Sequence, residues 1–322
     1  MMDLLRKWPE ISFTVALAGL VTVVSWLFEL PFNLPSGERA AFVGIHYLYP
    51  LLGLSVWACF ALVGQRRALL STFLVALPCY AAVLLLHFNL KLWIPHINPT
   101  LWDWLYWEID RALRPLVLAC FALRRALVPI VPLDSNLYMT AFIGMFYVSF
   151  CYHALRTPEH FRTLFLAALI FQGLGAIAYL LMPALGPFLY EPGLEPLQSG
   201  AQAGMLEAWR QNAANGEVWL AANGSLNFTA GVAAMPSLHT GGSFLFLLFA
   251  WRYGRVLVPL YILLFGFIAI DAIANRWHYL VDLPVGIALA FASAWLAERL
   301  TPHRDILPED QFPEPVTSPA TT

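Results

Sequence analysis

The sequence predicts an all-α integral membrane protein: a polytopic helical bundle of about eight transmembrane helices with an added interfacial amphipathic segment. Three observations carry this. Of 322 residues, 60% are hydrophobic and only 12% are charged, against roughly a quarter charged in an ordinary soluble domain. The apolar residues gather into runs of the length, about 20 residues, that a helix needs to cross a hydrocarbon core about 30 Å thick. Basic residues collect at the ends of those runs in alternate loops, as the positive-inside bias requires.

Candidate spans fall near 11 to 31, 40 to 64, 68 to 93, 136 to 156, 161 to 182, 237 to 252, 256 to 275 and 280 to 299. The first, "ISFTVALAGLVTVVSWLFEL", is longer than a signal-peptide core and has no clear small-residue cleavage site, so it is expected to stay as an anchor. Between the third and fourth spans, residues 94 to 135 mix Trp102, Trp104 and Trp107 with Asp103, Glu108, Asp110, Arg111, Arg114, Arg124 and Arg125. That pattern suits an amphipathic or re-entrant segment at the interface.

With eight crossings and a cytoplasmic N-terminus, Arg6, Lys7, Arg66, Arg67, Arg156, Arg162, Arg252, Arg255, Arg299 and Arg304 all fall inside, and the C-terminus is cytoplasmic too. Residues 183 to 236 and the turn "NRWHY" then share the non-cytoplasmic face. A loop that long within a compact unit is commonly functional or disordered. Its stretch "GMLEAWRQNAANGEVWLAANG" predicts a short helix, and the loop is expected to cap a site. The expected organisation is N-terminal membrane helices and the interfacial segment over 1 to 135, a membrane core over 136 to 300, and a proline-rich, disordered tail over 301 to 322.

Eighteen Lys and Arg against twenty Asp and Glu leave a net charge of −2, so no nucleic-acid partner is implied. Cys59, Cys79, Cys120 and Cys151 lie in or beside apolar runs with no metal-ligand spacing and read as small packing residues.

Two stretches carry chemistry. In "AAMPSLHTGG", Ser237 is placed to cap a helix whose first turn holds His239, where unpaired amides and the helix dipole attract anions. Gly241 and Gly242 remove bulk on the next turn and allow close approach. In "DAIANRWHYLVDLPVG", His278 and Asp282 stand four residues apart, so a helix here puts them on one face and lets the carboxylate orient the imidazole. On a continuous helix Asp271 shares that face. A phosphate at the start of the first helix would have His239 beside its leaving oxygen and His278 on the opposite side. A lone interfacial histidine can simply be satisfied by water; the pair with Asp282 is what points to catalysis. His46, His87, His96 and His153 have no motif partner and read as structural or interfacial.

"PSLH" followed by "HYLVD" resembles the second and third signatures of the type-2 phosphatidic acid phosphatase superfamily. "MPSLHTG" with "HYLVDLPVG" is more similar to its inositol phosphorylceramide synthase-like branch. The resemblance implies a helical membrane core in which His278, oriented by Asp282, forms a phosphohistidine-type intermediate while His239 protonates the leaving alkoxide. It implies no metal and no cofactor. Water as acceptor makes a phosphatase; a lipid alcohol makes a transferase.

Two family features are absent. The first signature's lysine and Arg-Pro pair have no counterpart in "YLLMPALGPF", and Asp271 and Ala272 stand where the third signature has Ser-Arg. Fewer cations suit a phosphodiester, with one negative charge, better than a monoester with nearly two. The candidate substitutes are Arg276, which reads also as a lipid-headgroup anchor, or Arg111 and Arg114 if the interfacial segment folds over the site. The function expected is transfer of a phosphoryl-linked head group from a phospholipid donor to a lipid alcohol, in sphingolipid or glycerolipid synthesis, on the non-cytoplasmic face. The alternatives are a lipid or polyprenyl phosphate phosphatase and, from another class, a non-catalytic lipid-binding or transport protein. Catalysis rests on His239, His278 and Asp282, and substrate binding on Ser237, Arg276, Asp271, Arg114 and Arg111.

Overall fold

A computed structural model describes residues 7–38, 48–49, 51–53, 55–56, 67–129, 137–229 and 234–301. The architecture rests on the α-helices α1 (Pro9–Leu27), α2 (Arg67–Ile97), α3 (Asp103–Ala112), α4 (Arg114–Leu127), α5 (Leu137–Arg156), α6 (Pro158–Leu181), α7 (Pro196–Asn223), α8 (Leu238–Tyr253), α9 (Val258–Ala274) and α10 (Asp282–Leu300). The described residues contain no strand. Pro9, Pro158 and Pro196 open their helices, where a missing N–H costs nothing and the fixed φ is already helical.

Seven of the eight predicted spans are present as α1, α2, α5, α6, α8, α9 and α10; the predicted span over 40 to 64 lies largely outside the described residues. Among the described residues six helices are long and apolar enough to cross a membrane, and the chain is an integral membrane protein. The exception is α8, whose 16 residues reach only about 24 Å. The predicted interfacial segment forms two short helices, α3 and α4. The loop helix predicted as short is the 28-residue α7, bent where Gly216 takes φ +54°.

The core is built where α2 packs on α6, α6 on α10, α10 on α8, and α8 on α9. Aromatic rings fill it: Tyr80, Phe146, Phe150, Phe161 and Phe165 are mutually packed and buried. Antiparallel neighbours sort the chain into two ends. At one end lie Arg156, Arg162, Arg252, Arg255 and Arg299, with Arg162 paired to Glu10 at 2.7 Å and Arg252 to Glu298. At the other meet the ends of α6 and α9 and the starts of α5, α8 and α10, covered by α3, α4 and α7.

Candidate active site

The helix predicted to carry His278 and Asp282 on one face is interrupted. α9 ends at Ala274, the chain turns through residues 275 to 281, and α10 begins at Asp282. Asp271, on α9, is therefore not on a continuous helix with them. The pair still forms, because Asp282 reaches back over the turn. Its Oδ2 accepts the Tyr279 N–H at 2.8 Å and lies 3.2 Å from His278 Nδ1. The Ala234 carbonyl lies 2.8 Å from the same nitrogen. Both neighbours are acceptors, so Nδ1 carries the hydrogen and Nε2 keeps its lone pair.

The two histidine segments are fastened backbone to backbone. Ser237 N–H donates to the Asp282 carbonyl at 3.0 Å, tying the start of α8 to the start of α10. Glycines make this approach possible. A Cβ on Gly241 would stand 2.5 Å from the Gly286 carbonyl oxygen, and one on Gly286 would overlap the Ser237 carbonyl. Gly242 lies under the Phe142 ring, 3.0 Å from where a Cβ would be. Ser237 sits at the N-cap position, but its hydroxyl donates to Thr240 Oγ1 at 3.0 Å and accepts no backbone N–H of the helix.

His239 and His278 line one cavity of about 350 Å³, which also takes in His87, Lys91, Tyr138, Gln172, Tyr179, Gln198, Asp271, Asn275 and Trp277, with apolar walls from Leu84, Phe88, Met139, Phe142, Met205 and Leu238. The His239 ring is held edge-on between Tyr138 and Phe142, with centroids at 5.2 and 4.8 Å. Lys91 is the one lysine or arginine among the described lining residues. One turn earlier, His87 Nδ1 donates to the Gln172 carbonyl at 2.9 Å. Two buried polar atoms of the lining, Tyr138 Oη and Asn275 Oδ1, have no partner among the described residues.

The arginines expected to bind phosphate are engaged elsewhere and do not line this cavity. Arg276 is 1% exposed and pairs with Asp110 at 3.3 Å and Glu191 at 2.8 Å. Arg114 pairs with Glu191 at 2.6 Å, and the exposed Arg111 with Glu108 on its own helix. Asp271 does line the cavity, held by Arg124 at 2.8 Å and Asn275 at 2.6 Å. Lys91 and His87, the latter expected to be structural or interfacial, both stand in this lining. The available signal was a cation four residues after a histidine inside an apolar run, since an ionisable residue at membrane depth is functional by default.

The interfacial helix α3 organises the site from outside. Asp103 and Asp110, seven residues apart, share its buried face. Asp103 accepts the amides of Leu185 and Gly186 at 2.9 Å and the Tyr279 hydroxyl at 2.8 Å. Asp110 accepts the Leu280 N–H at 2.9 Å and the Arg276 guanidinium. Burial pushes both carboxyls above their ordinary range, while these donors pull them back. Arg276 itself has φ +58°, a left-handed conformation that costs a side-chain-bearing residue on the order of 1 kcal/mol or more. Two acids and the Phe188 N–H on its carbonyl hold it there. Nothing in the spacing of residues 103, 110 and 276 announced this contact.

No curated protein and no solved structure matches the chain. A family model described as the PAP2 superfamily matches residues 130–296, a stretch that takes in both histidines, Asp282 and the loop between them. Since that match spans just over half of its 322 residues, the chain belongs to the PAP2 superfamily.

Proposed function

We propose that the protein moves a phosphoryl-linked head group from a phospholipid to a lipid alcohol, in the manner of the inositol phosphorylceramide synthase-like branch of its superfamily. The observation that carries this reading is the commitment of His278 Nδ1 to Ala234 and Asp282, which leaves Nε2 a lone pair in a cavity shared with His239. His278 Nε2 attacks phosphorus, the bond to the diacylglycerol oxygen breaks, and His239 supplies the proton that this oxygen needs. The head group stays on His278 as a phosphodiester-type phosphoramidate. An acceptor hydroxyl then gives its proton to His239 and attacks phosphorus, freeing His278. Asp282 stabilises the imidazolium character that develops and fixes the ring.

Charge favours a diester. Lys91 supplies one positive charge, the start of α8 adds partial positive charge, and Asp271 sets a carboxylate in the same lining. That balance suits a singly charged phosphodiester and disfavours a dianionic monoester. The apolar walls fit acyl chains. The cluster of arginines at the far end of the bundle supports a site on the non-cytoplasmic face, with both termini cytoplasmic.

The test is incubation of purified protein with head-group-labelled phospholipids, with and without ceramide or diacylglycerol, following transfer and release separately. Transfer that requires the lipid alcohol supports the reading. Release that ignores it makes the protein a phosphatase. Full turnover by His278→Ala would remove the mechanism altogether.

A further inference from the structure

One face of α2 brings two polar groups with unspent bonding capacity into the cavity. His87 and Lys91 stand four residues apart on this helix, so their Cβ atoms lie about 5–6 Å apart on the same side. Both line the cavity with His239 and His278, and both meet the Tyr179 ring: the His87 ring centroid lies 5.9 Å from its centroid and Lys91 Nζ 5.5 Å. His87 donates from Nδ1 to the Gln172 carbonyl at 2.9 Å, so Nε2 keeps its lone pair. That nitrogen has no partner among the described residues, and it is not one of their closed-off polar atoms. His278 has the Asp282 carboxylate behind its ring. His87 has only a carbonyl there, so it lacks the group that would stabilise an imidazolium and serves as a neutral acceptor.

Lys91 has no carboxylate partner among the described residues; its Nζ rests over the Phe88 and Tyr179 rings, at 5.9 and 5.5 Å. A quaternary ammonium is recognised by such aromatic faces, and here a cation of the protein already holds them. Other rings of the lining are committed too: Tyr138 and Phe142 flank His239, and Trp277 packs on Phe188. The lining carboxylate Asp271 is already paired with Arg124 and Asn275. A cationic head group therefore finds no free counter-charge and meets Lys91. An uncharged head group with a hydroxyl can set its phosphate oxygen on Lys91 and donate its O–H to His87. We propose that His87 and Lys91 select the head group, admitting an uncharged, hydroxyl-bearing phosphodiester and disfavouring choline-type and ethanolamine-type head groups. This rests on the transferase reading above, in which the receiving alcohol is already served by His239.

The first experiment measures binding alone, with ligands that cannot pass the group on. In a monoester of methylphosphonic acid a P–C bond stands where the bond to the diacylglycerol oxygen would break, and the single negative charge of a diester is kept. The glyceryl, ethyl and choline esters are compared on detergent-solubilised protein. The wild type is expected to bind the glyceryl ester about tenfold more tightly than the ethyl ester, the scale of one or two hydrogen bonds in a buried polar site, and the choline ester no more tightly than the ethyl ester. His87→Leu should bring the glyceryl-to-ethyl ratio close to one. His87→Gln, which can again present an acceptor at the place of Nε2, should restore most of it. Lys91→Met should weaken the glyceryl and ethyl esters and raise the choline ester relative to both, because the Phe88 and Tyr179 faces become free.

In the labelled-lipid assay His87→Leu should raise KM for a hydroxylated donor more than it lowers kcat. A change confined to the ratio of transfer to hydrolysis would give the hydroxyl to the acceptor and overturn the assignment. A wild-type protein that binds the choline ester most tightly, or the glyceryl and ethyl esters equally, would overturn the proposal. So would a His87→Leu variant that keeps the wild-type binding ratio. If His278→Ala retained turnover while the binding preferences held, the mechanism would fall and the head-group site would stand.

Discussion

Replacing Gly241 by Ala adds one methyl group at the crossing of α8 and α10, and the structure sets what it must do. The new Cβ would lie 2.5 Å from the Gly286 carbonyl oxygen, 2.8 Å from its carbon, and 2.8 Å from the Phe171 ring. Ordinary contact needs about 3.5 Å, so the two helices must separate by roughly 1 Å, and backbone atoms offer no rotamer change as an escape. Overpacking of this kind costs about 1–3 kcal/mol. A functional cost is added, because the Ser237-to-Asp282 hydrogen bond holds His239 and His278 in register at this crossing. A 1 Å misplacement of reacting groups can cost on the order of a hundredfold in rate.

The assay is kcat/KM for head-group transfer beside the melting temperature in the same detergent. Gly266→Ala is the control. That helical glycine has nothing within 4 Å of its would-be Cβ, so the substitution is expected to stabilise α9 slightly, by about 0.5–1 kcal/mol, with turnover unchanged. The reasoning is refuted if Gly241→Ala keeps wild-type turnover and melting temperature, or if the two glycines respond alike.

Four further outcomes follow. Asp282→Asn keeps the shape but loses the charge behind His278, and kcat is expected to fall about a hundredfold to ten-thousandfold in a rapid-quench measurement. Lys91→Met removes the one cation of the described lining and is expected to lower kcat/KM for a phosphodiester by about 10- to 100-fold, the scale of a lost charge-assisted hydrogen bond. Asp110→Asn leaves the buried Arg276 charge short of a partner. Chemical denaturation should show a loss of about 3–5 kcal/mol, and Asp110→Leu with Arg276→Met should recover part of it. Burial raises the Asp103 carboxyl above its ordinary 3.8, so the folded chain holds that proton more tightly than the unfolded one. Its contribution to stability is full below that value and falls as pH rises through the window above it. Asp103→Asn should flatten that slope in melting curves taken from mildly acidic to neutral pH.

Much of the site was legible along the chain because its chemistry is local. His278 and Asp282 are four residues apart, and a pairing over so short a span survives replacement of the expected helix by a turn. Gly241 and Gly242 announced a close approach, though not that its partner would be Gly286, 45 residues further on. Which cation lines the cavity was not legible in this way. Arg276 is the cation nearest His278 in sequence, but Asp110 and Glu191 hold its guanidinium, and only the folded chain carries Lys91 from α2 into the same cavity.

Apolar run length and the spacing of basic residues by themselves determined a helical membrane bundle, because a bilayer admits few ways of satisfying a backbone, and those leave their period in the sequence. The order and identity of His239, His278 and Asp282 likewise belonged to the sequence. Tertiary structure alone decided which charges are spent on one another and which remain free. Electrostatic pairing depends on distances through space between residues scores of positions apart, and no local pattern along the chain encodes those distances.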